Sequence, residues 1–273
     1  DLFYGPGGKA MVPNVSKVIV IKEEKAGHTK KYRIKDADGH VWVAKLGREA
    51  QAETVSVRLM WALGYRTEIN YLVPSLTLPG KGTFKNVRLE ARPDNIERLE
   101  EWKWKDNPFL GTNEFQAMKI MMVFLNNWDI VDVQNKILLV DGRNGKERQY
   151  IVSDLGATFG KMGNNNLPFI FRLGQTKNKP KQYAKAKFIK DQKDDGTLKL
   201  GFMGKNRDLF KGITVGQARW LANLLSKLKD SQLQDAFRAA NYSAADSAIL
   251  MQAIKRRISE LNNITAQERL AQR

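Results

Sequence analysis

Five polar residues, widely spaced along the chain, have the types and the order that phosphoryl transfer requires: Lys45, Glu53, Asp129, Asn135 and Asp154. That chemistry makes few covalent demands on a protein. It needs a cation on the non-transferred phosphates, oxygen ligands for magnesium, and a group that positions the attacking hydroxyl. Lys45 closes a Val-Ala-Lys triplet, the pattern in which a strand lysine reaches the α- and β-phosphates. Such a lysine is held by a carboxylate from the following helix. Glu53, eight residues on, is the first choice, and Glu49, one turn earlier, is its rival. Asp129 and Asn135 occupy a polar loop, followed by Ser153-Asp154-Leu155-Gly156. An Asp and an Asn in a loop, then Asp-Leu-Gly at a strand end, fit a catalytic base, a metal-binding amide and a metal-binding carboxylate.

The elements around these residues are of the right kind. Residues 15–22, 31–35 and 41–46 are rich in β-branched side chains or alternate in polarity, and Asp36-Ala37-Asp38-Gly39 separates the last two as a hairpin turn. The period then changes. Ala52, Val55, Leu59, Ala62 and Leu63 recur at helical spacing over residues 48–63, and Gly64 stops the run. Residues 69–78, interrupted by Pro74, and 83–91 are extended again. A helix is expected over 113–125, with Phe115, Met118, Met122 and Leu125 on one side, and two short strands at 137–140 and 150–153. Three more helices are expected at 214–228, 231–240 and 243–261. The fold class is therefore α+β: a β-rich amino-terminal lobe at 1–92 carrying one helix, and a mainly helical carboxy-terminal lobe at 93–273, together one catalytic unit.

Three of these blocks resemble the atypical branch of the protein-kinase-like superfamily. The run from Glu53 through Arg58 and Leu63-Gly64 to Val73-Pro74 resembles the helix shared by phosphoinositide kinases, HipA-type kinases and the secretory-pathway casein-kinase group. The segment Asn126-Asn127-Trp128-Asp129 to Asn135 resembles their D-x-x-x-x-N loops, and Ser153-Asp154-Leu155-Gly156 resembles their metal-binding strand end. The chain also resembles uncharacterised bacterial proteins of that superfamily. The resemblance implies ATP and Mg2+ as cofactors, with Lys45 on the phosphates, Glu53 orienting it, Asp129 on the acceptor, and Asn135 and Asp154 on the metal. Asn135 stands six residues after Asp129, one more than the pattern, so Asp132 or Gln134 share its candidacy. No G-x-G-x-x-G precedes the second strand. Gly27 with Lys30 is assigned to cover the phosphates, or the glycine-rich residues 5–8 fold over them.

Composition narrows the alternatives. There is no cysteine, which excludes disulfides and thiolate chemistry, and His28 and His40 are too few for a zinc site or a Ser-His-Asp triad. No apolar run is long enough to span a bilayer. The chain opens on Asp, as a processed or trimmed product would. The 46 Lys and Arg against 29 Asp and Glu give a formal charge of +17, which suits an anionic partner: nucleotide, phosphorylated substrate, nucleic acid or acidic membrane. Eleven of those cations fall in residues 176–211 against four acids, either a grip for an acidic substrate or a membrane headgroup, or a solvated loop. Transfer of AMP in place of phosphate, a non-catalytic kinase-like scaffold, and a basic nucleic-acid-binding protein are the competing readings. The last ranks lowest, because no nucleic-acid motif is present.

Overall fold

The computed structural model describes residues 1–25, 29–163 and 174–271. In chain order the elements are β1 Ile19–Glu24, β2 Lys31–Lys35, β3 Val41–Lys45, α1 Glu49–Ala62, β4 Asn70–Leu78, β5 Gly82–Ala91, β6 Glu97–Arg98, α2 Asn113–Phe124, β7 Lys136–Gly142 and β8 Gly145–Ile151. The order continues with α3 Pro180–Lys185, β9 Ile189–Gln192, β10 Leu198–Leu200, α4 Val215–Leu225, α5 Asp230–Ala239 and α6 Ala244–Ala271. The chain forms two compact units. The first comprises residues 1–101, 134–156 and 231–243; the second comprises 102–133, 157–230 and 244–273.

The first unit is built on a five-stranded antiparallel sheet of order β1-β2-β3-β5-β4. Strand alternation sorts its residues onto two faces. Tyr32, Ile34, Trp42, Ala44, Tyr71, Val73, Val87 and Leu89 point to one face and form the apolar core there. Their neighbours Arg33, Val43, Lys45, Arg88 and Glu90 point to the other. Pro74 does not break β4, which is the edge strand of the sheet, where proline is tolerated. The amino-terminal residues are pinned down: the Tyr71 hydroxyl donates to the Gly8 carbonyl at 2.6 Å, and buried Arg58 donates to the Phe3 carbonyl and to Asn70.

Helix α1 ends as the glycine signal predicts. Gly64 has a φ of 93°, and the Tyr65 and Gly64 amides donate to the carbonyls of Met60 and Trp61. Buried residues encircle most of α1, including the polar Glu53, Thr54, Ser56 and Arg58. The Gln51 side chain donates to the carbonyls of Ala240 and Asn241, tying α1 to the end of α5. A second sheet, β6-β7-β8, completes the unit. β7 and β8 are longer than the sequence pattern indicates. They pair through Gly142↔Gly145, so most of the polar stretch between the two expected strands is a solvent-facing ladder.

The second unit is helical. Thr112 caps α2 through the Phe115 amide, and Thr214 with Gln217 forms a capping box on α4. Residues 115 and 117–124 of α2 are all buried. Trp102 and Trp104 are buried against Phe115. The basic stretch 176–211 is structured: α3 and the β9–β10 hairpin, which turns through Gly196, close over buried Tyr183, Phe188 and Leu198.

Candidate functional site

The polar face of the five-stranded sheet carries a dense ionic cluster. The Lys45 ammonium, at the end of β3, lies 2.6 Å from Asp154 Oδ1, 3.1 Å from Glu49 Oε2 and 3.3 Å from Glu53 Oε2. The lysine side chain is 4% exposed and that of Glu53 1%, whereas Asp154 keeps 42% of its side chain open to solvent. Both candidate glutamates therefore reach the lysine, because each faces β3 from α1 one turn apart.

Asp154 is delivered by local backbone geometry. Its φ of 52° places it in the left-handed region, which Asp enters more readily than most residues. The preceding Ser153 hydroxyl donates to Glu68 Oε1 at 2.5 Å, and Glu68 is gripped by two Arg98 bonds of 2.6 and 3.1 Å. Two residues on, Gly156 faces α1. A Cβ there would lie 2.8 Å from the Glu49 Cβ and 3.2 Å from Glu53 Oε2. The glycine of Asp-Leu-Gly thus allows the strand end to approach the glutamate-bearing turns of α1.

The electrostatics of the cluster are those of a partly dry site. Burial works against the Lys45 charge, but Glu53, Asp154 and Glu49 outweigh that penalty and Arg88's repulsion, so the pKa stands above its ordinary value. Burial pushes Glu53 up to about 7, against the pull of Arg88 and Lys45. Glu90 is buried too, yet Arg88, Arg92 and Arg98 hold it below the usual carboxylate range.

Arg88 is the residue that sequence reasoning missed. It stands directly across from Lys45 in the β3–β5 pairing, and its Nη1 contacts Glu53 Oε1 at 2.7 Å and Glu90 Oε2 at 2.6 Å. No local signal marked it: charges at 88, 90 and 92 alternating with apolar 87, 89 and 91 have the pattern of a strand with one face in solvent.

The other candidates distribute differently. Asn135 lies in the first unit, buried at the entrance to β7. Asp129 belongs to the second unit, where its amide receives support from the Asn127 side chain at 3.2 Å. Asp132 accepts from the Trp104 amide. Lys30 departs from its assignment. Its ammonium sits 5.5 Å from the centroid of the Tyr32 ring, and Tyr32 belongs to the core face, opposite that of Lys45. Strand parity decides this: residue 30 aligns with 32, not with 31. Gly27 lies outside the described residues. Residues 5–8 do not overlie the cluster as a free loop but pack on Arg58 and Tyr71.

Beside the cluster is a pocket of about 350 Å³ between the five-stranded sheet and the β7–β8 hairpin. Its lining includes Arg33, Ile69, Ala91, Arg92, Pro93 and Leu138. Arg33 pairs with Val43, two residues before Lys45 on the same sheet face, or roughly 7 Å along the strand.

No protein-family model and no curated protein sequence matches the chain. Solved structures do. The chain superimposes on the crystal structure of the Helicobacter pylori proinflammatory kinase CtkA with a TM-score of 0.55 and 11% identity, over 93% of this chain and 97% of that one. The fold is protein-kinase-like. A further match is the Rio2 kinase–ADP/Mg2+–phosphoaspartate complex from Chaetomium thermophilum, with a TM-score of 0.35, 11% identity, and coverage of 90% and 72%. Within the kinase-like fold, the α+β architecture expected from the sequence is present: a small antiparallel sheet with one helix, and a mainly helical body. Among the described residues no helix is long and apolar enough to cross a membrane.

Proposed function

We propose that the chain is an ATP- and Mg2+-dependent phosphotransferase acting on a hydroxyl of a protein or a small molecule. One observation carries the reading: the Lys45 ammonium and the half-open Asp154 carboxylate, 109 positions apart, meet at 2.6 Å beside a buried glutamate. A purely structural lysine needs one counterion, whereas this one has three carboxylates. The surplus of negative charge around a single exposed carboxylate suits a divalent cation.

The donor set fits magnesium. Mg2+ keeps several waters and takes one or two carboxylates plus phosphate oxygens, and does not require an all-protein cage. Among the described residues no group of three His, Cys, Asp or Glu forms such a cage, and Asp154 with Asn135 would supply the protein oxygens. When bound, Mg-ATP supplies the activated phosphoryl group and the charge that neutralises it. Lys45 would exchange its bond to Asp154 for phosphate oxygens while Glu53 and Glu49 hold its ammonium. Asp129 would orient the acceptor hydroxyl. The pocket at the end of β5 would seat the base, between Ala91–Pro93 and Leu138. Lobes at 1–92 and 93–273 would act as one catalytic unit.

The test is Mg-dependent ATP turnover by the purified chain and by Lys45→Met and Asp154→Ala. Loss of turnover in both, with the fold retained, is expected, and unchanged turnover in both sinks the proposal. The mass gained by the acceptor separates phosphate from AMP transfer. A chain that binds no Mg-ATP is a kinase-like scaffold.

A further inference from the structure

Lys45 and Glu53 would suffice as a pair if the glutamate needed only one partner. It has two, and each takes a different oxygen. Oε2 lies 3.3 Å from the Lys45 ammonium, and Oε1 lies 2.7 Å from Arg88 Nη1. Arg88 is itself held by Glu90 at 2.6 Å and by its place in β5, directly opposite Lys45. Its side chain is 4% exposed, so the guanidinium is as enclosed as the carboxylate it grips.

This arrangement answers a geometric problem. An ammonium is a compact point charge with no preferred plane, and it follows whichever carboxylate comes nearest. Lys45 has three carboxylates to follow. A glutamate on a helix, held by one flexible lysine, leaves both partners free to turn together. A guanidinium is a rigid, planar cation, and this one is enclosed between the carboxylates of Glu53 and Glu90, so it leaves the Glu53 oxygen beside it one place to settle. The strand pairing of Arg88 thereby sets where the second oxygen of Glu53 must lie, and that oxygen sets Lys45.

We propose that Arg88 is a positioning residue for the phosphate-binding lysine, acting through Glu53 in a Lys45–Glu53–Arg88 triad that spans β3, α1 and β5. The proposal rests on the phosphotransferase reading above. Arg88 need not touch nucleotide. The competing role is neutralisation of buried charge, which serves stability alone.

The experiment is a double-mutant cycle on Mg-ADP affinity, measured by calorimetry, together with the KM for ATP and kcat. The variants are Arg88→Met, Arg88→Lys, Glu53→Gln and the Met/Gln double variant. Arg88→Met is expected to weaken Mg-ADP binding and raise the KM by roughly tenfold, the size of coupling seen between residues in direct contact. Arg88→Lys, which keeps the charge but loses the rigid planar head, is expected to recover little of that loss, and recovery to near the parent affinity assigns Arg88 to charge neutralisation and overturns the proposal. In the Glu53→Gln background the same Arg88→Met change should cost less than about twofold, because its route to Lys45 is already cut. Equal losses in both backgrounds overturn the proposal, as does a lowered melting temperature with unchanged affinity. Should Arg88→Met fail to fold, the Arg88→Lys and Glu53→Gln pair closes the same cycle. Failure of the unsubstituted protein to bind Mg-ADP overturns the phosphotransferase reading and this proposal with it. Tight binding with additive losses overturns the Arg88 role alone.

Discussion

Two buried cations, one in each compact unit, are treated in opposite ways. Lys45 in the first unit is surrounded by carboxylates, one of them 42% exposed. Arg257 in the second is fully buried and spends its donors on backbone carbonyls of Val123, Phe124, Tyr183 and Ala186 and on the Asn126 side chain, with its guanidinium 4.1 Å from the Tyr183 ring centroid. Burial lowers its pKa, whereas the Lys45 carboxylates raise that of the lysine. Carbonyls at the end of α2 are fixed acceptors, and a cation on them joins elements without inviting exchange. Carboxylates with solvent access on one side can trade partners. On the phosphotransferase reading, the contrast separates a staple from a site.

The comparison can be broken at either end. Asp154→Ala should reduce Mg-dependent turnover by at least about a hundredfold, while its exposure keeps the melting temperature close to that of the parent protein. Large destabilisation with little loss of turnover per folded molecule would make Lys45 a staple as well. Arg257→Met should do the reverse. It strands several buried carbonyls and should cost about 3 kcal/mol in chemical denaturation, with kcat per folded molecule retained.

Glu90 sharpens the contrast through pH. Its folded pKa lies below the ordinary 4.5, so it contributes stability that is present above that value and lost as pH falls through the folded pKa. Glu90→Gln should therefore cost about 2 kcal/mol at pH 7, and the gap to the parent should narrow as the pH drops below 4.5. A gap that widens in acid contradicts the assignment of Glu90 as an ionised partner of Arg88. The smallest effect belongs to the exposed pair of Lys146 and Asp141 on the β7–β8 hairpin, 2.9 Å apart. Lys146→Ala should change stability by no more than about 0.5 kcal/mol.

Strands β2 and β3, helix α1 with its Gly64 stop, and α2 were legible because each announces itself through local period and turn chemistry. The Val-Ala-Lys and Asp-Leu-Gly blocks were legible because their residue types sit on element ends. The lengths of β7 and β8 were not, since a solvent-facing ladder of charged residues has the composition of a turn. The side of the sheet chosen by Lys30 was missed because strand parity counts residues, and proximity in sequence to Lys45 does not. Arg88 was missed for a related reason: nothing local distinguishes a buried strand arginine from an exposed one.

By itself the sequence determined the element types, the alternation that divides the sheet into an apolar and a charged face, and the order of the five candidate residues. Tertiary structure alone decided which charges share that face at bonding distance. Register between β3 and β5 is set by packing of Trp42, Ala44, Val87 and Leu89 on the far side of the sheet. A one-residue slip in that apolar register would carry every charge to the wrong face. The positions of Lys45 and Arg88 are thus consequences of the hydrophobic side of the same strands.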